Sequence, residues 1–137
     1  MSTRNDENEI KVINCKKFEL KKLGYNDLQH FLDSDPSNIY VGRDMTQYVP
    51  GAKGSKWRNP FTLKANDGDA TKVVDLYRDY IRRTPHLYDK LHELKGKTLA
   101  CWCYPAPCHA TVLKELYEQK YGKVPNFKSI KEFPALK

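Results

Sequence analysis

The stretch that most constrains this chain is Leu99-Ala-Cys-Trp-Cys-Tyr-Pro-Ala-Pro-Cys-His109. An apolar, strand-like run, Thr98 to Cys103, leads into it. A helical run, Cys108 to Tyr121, leads out, with Val112, Leu113, Leu116 and Tyr117 on one face and Gly122 as its stop. Two prolines stiffen the turn between them. A buried strand that feeds a helix through a tight turn is the unit of an α/β domain. Here it sets three of the chain's four cysteines and one of its four histidines at the strand's C-terminal end.

The rest of the chain supplies matching elements. Ile10 to Asn14 is β-branched and reads as a strand, and Ile39 to Gly42 as a second. Lys16 to Gly24 is charged without a clear period. Tyr25 to Leu32 reads as a short helix that Asn26 can cap. Residues 43–69 form a long irregular connection with Pro50, Gly51, Gly54, Pro60 and Gly68, in which Trp57 and Phe61 argue against disorder. Asp69 is the expected cap of a helix whose apolar face is Ala70, Val73, Val74, Tyr77 and Ile81. Thr84 and Pro85 open a further short helix with a Leu87, Leu91, Leu94 stripe, ended by Gly96. The order predicts one α/β domain over residues 10–121, with a small, mainly parallel sheet and flanking helices. Residues 1–9 are expected to be disordered, and 122–137 to form a C-terminal arm packed by Phe127, Ile130 and Phe133.

Parallel strands bring their C-terminal ends to one edge, and ligands of open α/β sheets bind outside that edge. The edge would collect Arg43 with its loop and the turn 103–109 into one cleft. Charge is consistent with an anionic partner. The net charge is +7; residues 51–64 carry Lys53, Lys56, Arg58 and Lys64 with no acid, and residues 95–137 carry eight lysines against Glu115, Glu118 and Glu132. No apolar run approaches the roughly 20 residues of a membrane span. The polar start, Met1 to Glu9, reads as no secretory signal, so an intracellular, cytoplasmic setting is expected, with cysteines as thiols or metal ligands rather than structural bridges.

The cysteine cluster admits three readings. Alternation along a strand puts Cys101 and Cys103 on one side and Trp102 on the other, and the proline turn folds Cys108 back; with His109 this is a Cys3His set acceptable to zinc. Alternatively, Cys108, where a helix begins, is a nucleophilic or redox thiol assisted by His109 as acid or base. The third reading is small buried hydrophobes. In Ser55-Lys-Trp-Arg-Asn-Pro-Phe61, Lys56 and Arg58 suit phosphate, Trp57 suits stacking on a ring, and Asn59 offers a two-way hydrogen-bond edge. The same loop also reads as one pinned by Trp57 and Phe61 with solvated charges. Arg43 is a candidate anion clamp, and Cys15 reads as structural.

Tyr40-Val-Gly-Arg43, Ser55 to Phe61, Tyr77-Arg78 and Leu94 through His109 together resemble the domain-of-unknown-function family 4326, over roughly residues 38–117. Arg58 stands where that family usually has glycine. The resemblance implies no activity; it strengthens the location of the site at Gly42-Arg43, 55–61 and 101–109. The expected function is an enzyme or ligand-processing domain acting on a phosphate-bearing nucleotide or nucleic-acid component. Catalytic candidates are Cys108 and His109, and ligand-binding candidates are Arg43, Lys56, Trp57, Arg58 and Asn59. Zinc on Cys101, Cys103, Cys108 and His109 is the candidate cofactor. The alternative is a non-catalytic basic module for nucleic acid or protein with structural cysteines.

Overall fold

A computed structural model describes residues 9–104, 106 and 108–122. The expected disordered start before Glu9 and the C-terminal arm beyond Gly122 lie outside them. Three strands form the sheet: β1 (Lys11–Asn14), β2 (Asn38–Tyr40) and β3 (Thr98–Cys101). Their order is β1-β3-β2 and both pairings are parallel, as the sequence predicts.

Register explains the two cores. Val12, Leu99 and Ile39 lie in one row across the sheet, and Ile13, Ala100 and Tyr40 in the next. Successive rows face opposite sides. The first row packs under α3 (Ala70–Arg82), α4 (Pro85–Tyr88), a 3-10 turn (Leu91–Leu94) and α5 (His109–Tyr121), where Tyr77, Ile81, Leu94, Leu113 and Leu116 are buried. The second packs under α1 (Lys17–Lys22) and α2 (Leu28–Ser34), against Leu20, Leu28 and Phe31. The sheet is therefore covered on both faces, the expected arrangement for parallel strands.

Local chemistry fixes the helices. Asp69 caps α3 by accepting from the Lys72 N–H at 3.0 Å. Val73, Tyr77 and Ile81, spaced by four, are its buried residues. Arg78 of α3 donates to both carboxylate oxygens of Glu115 on α5, at 2.7 and 3.0 Å, and sets the two helices side by side. Gly122, at φ 88°, ends α5. Among the described residues no helix is long and apolar enough to cross a membrane.

Several boundaries differ from expectation for identifiable reasons. The charged segment after β1 forms α1, whose only buried residue is Leu20, so it carries no periodic signal. Asp27, not Asn26, caps α2 by accepting from the His30 N–H. Thr84 does not cap α4; its hydroxyl donates back to the Tyr80 carbonyl, and the leucine stripe is divided between α4 and the 3-10 turn. β3 stops at Cys101, two residues early. The Asn14 amide donates to the carbonyls of Trp102 and Tyr104, at 3.3 and 2.7 Å, and so takes the place of a further ladder partner.

Candidate functional site

At the C-terminal edge of the sheet, the chain leaves β2 through Tyr40-Val-Gly-Arg43. The Tyr40 hydroxyl donates to the Arg43 carbonyl at 2.6 Å and accepts from the Trp102 indole N–H at 2.8 Å. Burial raises the Tyr40 pKa, which keeps the phenol protonated for that donation. Gly42 is needed because a Cβ there would run into the Tyr40 ring. The Val41 carbonyl accepts from His109 at 2.6 Å, and the Gly42 carbonyl from the Ser55 N–H at 3.2 Å. One corner thus ties together the β3 exit, the start of α5 and the long loop.

The loop is anchored from below. The Tyr77 hydroxyl donates to the Trp57 carbonyl at 2.6 Å, and the Trp57 side chain is 4 % exposed within the larger core. Lys56 pairs with Glu93 at 2.6 Å, which holds the Glu93 carboxyl below its usual range. Arg58 is exposed and folds back to donate to the Ser55 carbonyl at 3.1 Å. Asn59 accepts from the Phe61 N–H through Oδ1 at 2.9 Å.

These anchors leave a cavity of about 330 Å³. Gly42, Arg43 and Met45 form one wall, and Asn59, Phe61 and Leu63 the next. Ala70, Val73 and Val74 of α3 close a third side, and Trp102, Cys103, Cys108 and His109 complete it. The expected meeting of Arg43 with the 103–109 turn occurs. Asn59 joins them. Lys56, Trp57 and Arg58 are not among the lining residues. The contribution of Val73 and Val74 was not read from sequence, because their spacing marks them as core and says nothing of where the core opens.

The sulfurs do not share one environment. Cys101, at the end of β3, and Cys108, the N-cap of α5, are each 1 % exposed, and their Sγ atoms meet as a disulfide pair. Cys108 Sγ also accepts from the Ala110 N–H at 3.4 Å. Cys103 is exposed and carries a free thiol. Because the strand ends at Cys101, strand alternation no longer holds Cys103 on the Cys101 side. Among the described residues no three His, Cys, Asp or Glu side chains come together in a group that could hold a metal ion. Cys15 is buried on the other face, where burial pushes its thiol up to about 12.

His109 packs edge-on against Tyr77, with ring centroids 5.1 Å apart. A carbonyl oxygen only accepts, so the bond to Val41 places the proton on Nε2 and the lone pair on Nδ1. Burial lowers the His109 pKa below 6.5, and the ring is a neutral imidazole near pH 7.

Comparison with known proteins places the chain in a family. A family model described as "Domain of unknown function (DUF4326)" matches residues 29–119. An uncharacterised protein, R718, of Acanthamoeba polyphaga mimivirus is 37 % identical over 94 residues, covering 61 % of this chain and 71 % of the relative. No solved structure matches. The residues that tie the cavity's walls together, Tyr40, Gly42, Trp57, Tyr77, Trp102 and His109, all fall inside the matched span, and the chain belongs to the DUF4326 family.

Proposed function

We propose that the cavity binds a phosphate-bearing small molecule with a planar ring, a nucleotide or nucleic-acid component, and that the domain acts on it. The observation that carries this reading is the meeting of one cation and one amide, Arg43 and Asn59, in a cavity with otherwise largely apolar walls. The Arg43 guanidinium presents paired N–H donors that match phosphate geometry. The Asn59 Oδ1 is engaged by the Phe61 N–H, so the amide NH2 is the group available to a ring edge. Phe61, Val74 and Trp102 supply apolar wall for the ring. The position outside the carboxyl ends of parallel strands supports a ligand site. In this reading Cys108 is the nucleophile once a small thiol has reduced its bond to Cys101, and the Nδ1 lone pair of His109 is the base.

The competing reading, a basic module for nucleic acid, needs cations free to meet phosphates. The Lys56–Glu93 pair and the return of Arg58 to Ser55 reduce what the loop offers. Calorimetric titration with adenosine monophosphate, adenosine, inorganic phosphate and an oligonucleotide, at low and high salt, separates the two. The monophosphate is expected to bind at least about tenfold more tightly than adenosine or phosphate alone, with the salt dependence of about one phosphate contact. Affinity that rises with oligonucleotide length and falls steeply with salt would favour the basic module.

A further inference from the structure

We infer that Cys101 and Cys108 form a thiol–disulfide exchange site, which a small thiol or disulfide reaches through the cavity at Cys108. Both sulfurs are shielded from bulk solvent and meet each other. Only one of the two residues opens on the cavity: Cys108 lines it and Cys101 does not. The pair is therefore ordered, with Cys108 as the sulfur that an outside molecule meets and Cys101 as the sulfur that resolves.

The fold also favours Cys108 for that part. It is the N-cap of the 13-residue helix α5, and its Sγ accepts from the Ala110 N–H. Helix N-termini stabilise a thiolate, and a stabilised thiolate is both the attacking form and the better leaving group. Two other thiols give internal contrasts. Cys103 is exposed on the same cavity wall, without a described partner sulfur. Cys15 is buried in the opposite core, among Leu20, Phe31 and Tyr40.

In the oxidising direction, the Cys108 thiolate attacks one sulfur of a small disulfide. A Cys108–sulfur bond forms, the small S–S bond breaks, and one small thiolate leaves. The Cys101 sulfur attacks Cys108 Sγ, the bond to the second small sulfur breaks, and the departing thiolate takes the Cys101 proton. The protein loses two electrons and the disulfide gains them, becoming two thiols. With excess small thiol the same steps run backwards. This exchange does not depend on the nucleotide reading, because it is scored on the cysteines with no phosphate ligand present.

The test equilibrates the full chain with mixtures of reduced and oxidised glutathione, quenches with acid, denatures, alkylates and maps peptides. The chain has four cysteines. All four are expected to alkylate after reduction. After oxidation, Cys101 and Cys108 are expected to disappear together as one linked peptide, while Cys15 remains alkylatable. In native Cys101→Ser protein, oxidised glutathione is expected to accumulate as a mixed disulfide on Cys108; in native Cys108→Ser protein, Cys101 is expected to stay unmodified. The wild-type mapping stands if either variant fails to fold. The inference is overturned if Cys101 and Cys108 alkylate fully at every glutathione ratio, if Cys103 is the only residue to take up glutathione, or if Cys103 replaces either member of the linked pair.

Discussion

Two segments flank the same edge of the sheet with cations of the same sign, and they place those cations differently. At Gly42-Arg43, the backbone is held by the Tyr40 hydroxyl and the Ser55 N–H, and Arg43 lines the cavity. At Ser55 to Phe61, the side chains are the anchors: Trp57 enters the core, Lys56 pairs with Glu93 and Arg58 returns to its own loop. Among the described residues the Arg43 guanidinium has no hydrogen-bond or ion-pair partner. The lesson is that density of positive charge along the sequence does not say which cation the fold leaves unpaired. What matters is whether the backbone is fixed by other groups, leaving the charged side chain free to act.

The largest expected effect breaks the anchored loop. Trp57→Ala should cost about 3–5 kcal/mol in chemical denaturation, as for a buried aromatic. A loss under about 1 kcal/mol would return the indole to a surface role. Gly42→Ala attacks the other corner. Its Cβ needs the space of the Tyr40 ring, so the Tyr40–Arg43 bond must shift, and a loss of about 1–3 kcal/mol is expected by the same measurement.

The acid side of the stability profile reports on His109. Its pKa is lowered by burial, so below about pH 6.5 the unfolded chain takes up a proton that the native state resists. The contribution of the neutral ring is complete above that pH and declines as pH falls toward the native pKa, by no more than about 1.4 kcal/mol per pH unit. Urea unfolding of wild type and His109→Gln at about pH 7.5 and about pH 5.5 should show a shallower acid decline in the variant. Equal declines would mean that the ring is protonated without cost. The smallest effect belongs to Lys56→Ala, which removes a partly exposed ion pair and should change stability by less than about 1 kcal/mol.

Much of the fold was legible because it rests on local pattern. The Asp69 cap, the Val73, Tyr77, Ile81 spacing and the strand-to-helix run through Cys108 each follow from neighbouring residues. The shared cleft of Arg43 and the 103–109 turn followed from one inference, that β2 and β3 are parallel. Long-range chemistry was not legible. An aromatic in a glycine-containing loop reads equally as pin or platform; a hydroxyl 20 residues away, on Tyr77, helps fix its backbone. Glu93 neutralises Lys56 from 37 residues away. Asn14, which holds the carbonyls on either side of Cys103, lies before the family match and carries no motif of its own. β3 ends before Cys103, so strand alternation does not hold Cys103 on the Cys101 side.

The central claim is that Arg43, and not the loop's cations, meets the anion. Titration of adenosine monophosphate into wild type, Arg43→Ala and Lys56→Ala protein, each first confirmed folded, tests it directly. Arg43→Ala is expected to weaken binding about ten- to a hundredfold, as for loss of a charged hydrogen-bond partner, and Lys56→Ala to leave it within about twofold. Unchanged affinity in Arg43→Ala, or an equal loss in Lys56→Ala, would contradict the account.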